Sequence, residues 1–437
     1  MFLARLLVLF SLVCISCAHS SFEQKQLKHA LDFATSNRLE LEILLQHYTY
    51  DSLKLEAAKF LIRNMPHCYS YQQGGEMDSV KRVRTYYSPF GQIDQTYARR
   101  WGHYTYRNLP KIYDAHIITA EYLIDNIDRA FDNWQKRPWN RSLSFEDFCE
   151  YLLPYRIGDE PLEEWRELYE KKYGYLLDSI YKGSDVVEAA NLVSRHLQEP
   201  VFIYCEDFEL PHIGPRYLFS HRYGSCVDAA DIVTYAFRAV GIPCMEDTDA
   251  RGGHVWNVVR DTTGRDVPIW YIASEAVRGS RDTGGYKRGK VYRPMYGFQE
   301  EKAAHLGDDW KSMPLLFYHP YMKDVSYAYY PDTLRILTGI PDDEVCYLAH
   351  FHEAHWWSCA CARSASGKME IPNLESELVY LPMKYTKGNY YPSGFPFWFA
   401  GGEINTFLPD WEKTVKVRLY RKYPVYGWLR SFMGHVV

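Results

Sequence analysis

The chain has 437 residues, 47% of them hydrophobic and 24% charged, an ordinary globular composition that excludes a disordered or fibrous polymer. Its formal net charge of -5 is small for that length, so nothing in the charge balance points to nucleic acid as a partner. Length alone predicts roughly two to four domains.

Residues 1–17 read as an export signal. Arg5 supplies the positive start, and Leu6 to Val13 form an apolar run too short for a bilayer, which takes about 20 residues. The run ends in Cys14-Ile15-Ser16-Cys17, with a small residue before the second cysteine. This resembles the lipobox of bacterial lipoproteins. The resemblance implies acylation of Cys17 and an exported protein anchored by lipid in the cell envelope, at the outer membrane or the cell surface. Cys14 stands where that pattern usually has leucine, and the alternative is a plain signal peptide cleaved near Ala18. No later stretch is apolar enough for a membrane helix. The eight cysteines beyond the signal are sparse and irregularly spaced, and a core of this size needs no covalent staples, so mostly free, buried thiols are expected.

In chain order, residues 22–66 carry helical spacing, with Asp51 as an N-cap and Pro66 past the end. Residues 67–113 are polar, rich in tyrosine and not assignable. Asp114 to Trp134 is helical again, stopped by Lys136-Arg137-Pro138, and Ser144 caps a further helix. Two amphipathic helices follow from Glu160 to Glu199, divided at Lys182-Gly183-Ser184-Asp185. A helix from about Cys226 to Val240 is closed by Gly241 and Pro243. The period then changes: 254–260 and 265–273 read as a hairpin, and 278–290 as a surface loop. Beyond residue 310 short strands are expected at 344–351, 356–363, 377–384, 395–400 and 413–420, separated by turn residues, which suggests a β-sandwich or barrel-like domain.

The chemistry concentrates around Tyr223-Gly224-Ser225-Cys226, where a thiol meets the first turn of a helix. A thiolate is stabilised there by the helix dipole and free amides, and the same amides can hold an oxyanion. Downstream, Gly252-Gly253-His254-Val255-Trp256 opens a strand with an imidazole. A G-x-C helix ending in Arg238-Ala239-Val240-Gly241-Ile242-Pro243, followed by G-H-x-W, resembles the transglutaminase-like superfamily. The run Phe145 to Arg156, with Glu160 and Trp165-Arg166, is similar to large exported bacterial members of that group. The resemblance covers residues 140–280 well and the two ends more loosely. It implies a papain-like core, Cys226 as nucleophile, His254 as base and an acid on the next strand. Of the nearby acids Asp261, Asp266 and Glu275, the hairpin favours Glu275. Asp266 comes second, roughly 17 Å along the strand from His254. The family usually has aspartate there. Asn257 is a lesser candidate for orienting the imidazole.

His350, His352 and His355 with Cys359 and Cys361 invite a zinc reading. Their spacing fits a hairpin better, Cys346 to Phe351 and Trp356 to Arg363, with the cysteines at strand period two. No metal or cofactor is therefore expected. The chain reads as α+β: signal 1–17, N-terminal helical region 22–140, a transglutaminase-like core 141–305 with a helix packed on an antiparallel sheet, and an all-β domain 310–437. The resemblance implies relatives that run on past that point. The expected activity is cysteine acyl transfer, hydrolysing or deamidating peptide or carboxamide bonds in a protein or peptide substrate. The alternative is a non-catalytic surface lipoprotein that binds peptide or glycan.

Overall fold

Residues 21–33 (α1), Arg38–His47 (α2) and Ser52–Asn64 (α3) open the fold as helices. The computed structural model describes residues 21–87, 105–199, 201–204, 210–251, 253–270, 275–281, 287–299, 313–337, 341–352 and 355–413. The export signal with Cys17, and the strand expected at 413–420 apart from Lys413, lie outside them. Asp51 caps α3 by accepting the Lys54 amide at 3.1 Å. The unassigned stretch holds a strand pair, β1 (Tyr69–Tyr71) with β2 (Lys111–Tyr113), and a helix, α4 (Gly75–Tyr87). Next come α5 (Ala120–Lys136) and α6 (Phe145–Tyr151), the latter capped by Ser144 on the Asp147 amide. The apolar core of these helices runs from Ala30 to Tyr155 and takes in Tyr296. It thus passes the boundary expected at residue 140, because Phe148, Cys149, Leu152 and Leu153 turn toward the N-terminal bundle.

The second core is built on α7 (Arg166–Tyr175), α8 (Val186–Leu197), α9 (Pro215–Ser220) and α10 (Cys226–Val240). Two short parallel strands, β3 (Ile203–Tyr204) and β4 (Tyr223–Gly224), lead into α10. Gly241 ends α10 at φ 81°, a left-handed stop that glycine adopts without strain. A five-stranded antiparallel sheet follows: β5 (Cys244–Asp249), β6 (Val255–Arg260), β7 (Asp266–Ile269), β8 (Val291–Pro294) and β9 (Met322–Asp324), in the order β7-β6-β5-β8-β9. Helix α10 is buried on every side, with Asp228, Asp231, Thr234 and Arg238 inside along with its apolar residues. A helix can be enclosed that way only if each inward polar group finds a partner.

The C-terminal part is antiparallel β. It comprises β10 (Asp332–Leu337), β11 (Val345–His352), β12 (His355–Arg363), β13 (Lys368–Leu374), β14 (Leu378–Thr386), β15 (Asn389–Pro392), β16 (Phe397–Ala400) and β17 (Glu403–Thr406). Strands β12-β11-β14-β16-β17 form one sheet with β15 added on β14, and the β10–β13 pair packs against its Cys346, Leu348, Tyr380 and Phe399 face. The other face, through Tyr347, Ala349 and Leu381, packs on Tyr292 of β8 and on Phe317. The chain is therefore α+β with antiparallel sheets. The described cysteines 68, 149, 226, 244, 346, 359 and 361 are free thiols, all buried except the half-buried Cys361. No helix among the described residues is long and apolar enough to cross a membrane.

Candidate active site

Cys226 is the first residue of α10 and 5% exposed. Ser225 precedes it as N-cap, with its amide and hydroxyl both donating to Asp228 Oδ2 at 2.8 and 3.1 Å. Arg84 of α4 reaches the same oxygen at 2.7 Å, so the negative charge near the helix start is balanced by a buried guanidinium. The first amides of a helix have no acceptor within it, which leaves a concentration of N–H groups around the Cys226 thiol.

The register of the sheet fixes where that thiol lies. Thr234 Oγ1 donates to Glu246 of β5 at 2.7 Å, and Asn257 of β6 donates to Thr234 Oγ1 and to the Ala230 carbonyl at 2.9 and 3.0 Å. Residues 226, 230 and 234 share one stripe of the helix. One turn back from Ala230 is about 6 Å, the length of two strand residues, which takes the stripe from Asn257 to Val255. Cys226 and the start of β6 thus occupy the same end of the layer. His254 immediately precedes β6 and is 8% exposed, its ring stacked 5.6 Å from Trp256 and edge-on 4.6 Å from Trp270. Trp256, Trp270 and Cys226 belong to one apolar cluster.

The acids read from the sequence are held elsewhere. Glu275 forms an ion pair with Arg195 of α8 at 2.6 Å, both side chains about half exposed, which places its carboxylate on the surface rather than behind a buried imidazole. Asp266 pairs with Arg260 in the hairpin, one position further from His254 than expected, and is bound by Arg293, Arg260 and the Tyr151 hydroxyl. Asp261 closes the turn onto the Thr263 and Arg265 amides and pairs with Arg278. Asn257 turns to α10 and is not an orienting group for His254. The hairpin stretch expected opposite His254, residues 271–273, lies outside the described residues; its sequence, Tyr271-Ile272-Ala273, contains no carboxylate.

A second polar cluster escaped the sequence reading. His212 places Nδ1 on both oxygens of Asp231, at 2.9 and 3.0 Å, with Asp231 fully buried on α10. Burial alone would leave both groups uncharged. The contact with Asp231 outweighs burial at His212 and holds the imidazole well above its ordinary range, while burial raises Asp231 itself. Burial also pushes Glu246 up. His212 lies 19 residues from Asp231 in a loop, so no local pattern joins them. The available signal was two aspartates three residues apart in the first half of a largely apolar helix. The histidines at 350–355 lie on the expected hairpin, β11 with β12, and Cys359 donates to the Leu348 carbonyl within it.

Compared with known proteins, the chain matches no family model, no curated protein and no solved structure.

Proposed function

We propose that the chain is an exported, lipid-anchored transglutaminase-like protein that performs acyl transfer through Cys226 and His254, hydrolysing or deamidating a peptide or carboxamide. The observation that carries this reading is α10 starting at Cys226 while its 226–230–234 stripe runs along β5 and β6 toward the strand that follows His254. In a papain-like core a helix-borne thiol meets a strand-borne imidazole in this way. The helix amides favour the thiolate and then hold the oxyanion. The thiolate attacks the carbonyl carbon, the C–N bond breaks, and the imidazolium gives its proton to the leaving amine. Water, deprotonated by the imidazole, then opens the thioester to carboxylic acid and free thiol. Water is the favoured acceptor because transamidation needs a site that excludes it. With Glu275 on the surface, the pair works without that carboxylate.

The test is thiol-directed fluorescent labelling of wild type and His254→Ala across pH. A thiolate held by the helix end and an imidazolium titrates well below the free value of about 8.5. Labelling of Cys226 near pH 6 should therefore be strong in wild type and fall at least about tenfold in the variant. Parallel labelling of urea-unfolded samples corrects for burial. An ordinary thiol titration, indifferent to His254, would sink the reading. The second reading, a non-catalytic scaffold for peptide or glycan, is favoured by the exposed aromatic residues Tyr391, Phe395, Trp398 and Trp411 on the C-terminal sheet and beyond it.

A further inference from the structure

A cavity of about 450 Å³ lies between the N-terminal bundle and the second core. One side is aromatic: Tyr69, Tyr106, Tyr296 and Tyr321 line it, and Tyr321 stacks on His67 with centroids 3.6 Å apart. The cations in the wall are already matched. Arg84 pairs with Asp228 at 2.7 Å, Arg156 with Asp114 at 2.5 Å and His212 with Asp231 at 2.9 Å. Arg238 donates to the carbonyls of Tyr151, Cys244 and Arg156.

Two carboxylates in the wall have no direct ion pair among the described residues. Glu246 is only 7% exposed, accepts one bond from Thr234 through Oε1 and makes no direct ion pair among the described residues; burial pushes its carboxyl up, opposed by the charges of His212 and Arg238. Asp159 accepts the His212 amide at 2.9 Å and likewise lacks an ion pair. Nδ1 of His67 has no hydrogen-bond partner, and burial lowers this imidazole to about 3, which keeps it neutral and able to accept. A buried carboxyl with a spare acceptor oxygen gains from a donor that enters the cavity, and an ammonium brings a charge as well as the hydrogen bond.

We propose that this cavity binds a small organic cation, a primary amine on an apolar body, with the ammonium group on Glu246 and Asp159 and the body against the tyrosines. Each part follows from the lining. The ammonium donates three hydrogen bonds to acceptors that lack them, and tyrosine faces favour both a cation and a hydrocarbon chain. The volume suits a small ligand. The site adjoins the acyl-transfer reading without resting on it: Ser225 and Val227, on either side of Cys226, belong to the wall, and no contact of the amine uses the thiol.

Binding is therefore measured on Cys226→Ala, which cannot form a thioester, so that failure here and failure of the acyl-transfer reading are told apart. Pentylamine, 1-pentanol and pentanoate share one body and differ in charge. Calorimetric titration should give saturable binding of pentylamine, at least about tenfold tighter than pentanol, and none for pentanoate. Adding Glu246→Gln or Asp159→Asn should each weaken pentylamine by about tenfold. Asp159, being half-buried, keeps the test alive if the Glu246 variant unfolds. Equal affinity for amine and alcohol, preference for pentanoate, indifference to both substitutions, or no saturable heat with pentylamine would each overturn the proposal.

Discussion

His350 shows how much a single side chain can set. It lies on the central strand β11, fully buried, with neither ring nitrogen hydrogen-bonded. Burial lowers it to about 4, helped by Arg251 and His352 and opposed by Asp249. An unfolded histidine titrates near 6.5, so as pH falls from there toward 4 the unfolded chain takes up a proton that the folded chain refuses. Stability is complete above about pH 6.5 and declines below it, by up to roughly 3 kcal/mol from this residue. His350→Leu removes both that slope and the unsatisfied nitrogens. Urea midpoints should show the variant gaining on wild type between pH 7 and pH 4.5; a constant difference would contradict this account. Glu275 is the opposite case. Its ion pair with Arg195 is half exposed, and such pairs contribute about 0–1 kcal/mol. Glu275→Gln should leave both the melting temperature and the alkylation rate of Cys226 within error, and a clear loss of alkylation would return it to the site.

Helix α10 was the most legible element, and its termination carries a sharp prediction. Gly241 has φ 81°, and a Cβ there would stand 2.8 Å from Arg137 Cγ and 2.9 Å from the Asn133 carbonyl oxygen. Backbone does not yield as a side-chain tip does, so Gly241→Ala should cost at least about 2 kcal/mol in chemical denaturation. A loss under half that would mean the α5–α10 contact relaxes easily. The bounds Cys226–Val240 follow from local chemistry, a Ser cap and a Gly-then-Pro stop, and local chemistry is what a sequence displays. The hairpin β6–β7 was legible to within one position: Asp261 donates its amide to the Arg265 carbonyl and so closes the turn read at 262–264, while Asp266 pairs with Arg260 rather than Val259. Strands β10, β13, β15 and β17 of the C-terminal part were missed: β13 contains Pro372, and β15 and β17 have only four residues each. Least legible was the polar interior. Arg84 finds Asp228 across 144 residues, and no periodicity announces such a pairing.

At the scale of the whole molecule, the N-terminal bundle is held to the second core through polar contacts as well as apolar ones. Glu150 accepts the amides of Tyr296 and Gly297, and Asn64 accepts that of Phe298. Deepest is Asp114, fully buried between β2 and α5, which receives Arg156 through two bonds of 2.6 and 2.5 Å and the Tyr155 hydroxyl at 3.0 Å. Removing one member of a buried pair strands the other, so Arg156→Met should cost about 3–5 kcal/mol at pH 7. Replacing both, as Arg156→Met with Asp114→Leu, should recover part of that loss, because Asp114 then leaves no charge inside and only Glu160, 3.6 Å from Arg156, loses its cation. The sign with pH follows from the stranded acid. Burial already pushes Asp114 up, and without Arg156 its folded carboxyl stays protonated well above the unfolded value of about 3.9. Such a group contributes fully below its unfolded pKa and less as pH rises through its folded one. The deficit of the single variant should therefore shrink on going from pH 7 to pH 4, while that of the double variant, relative to wild type, changes less. Denaturation of all three proteins at both pH values decides the matter: equal losses in the single and double variants at pH 7 would show that the guanidinium holds the seam by its shape rather than by its charge.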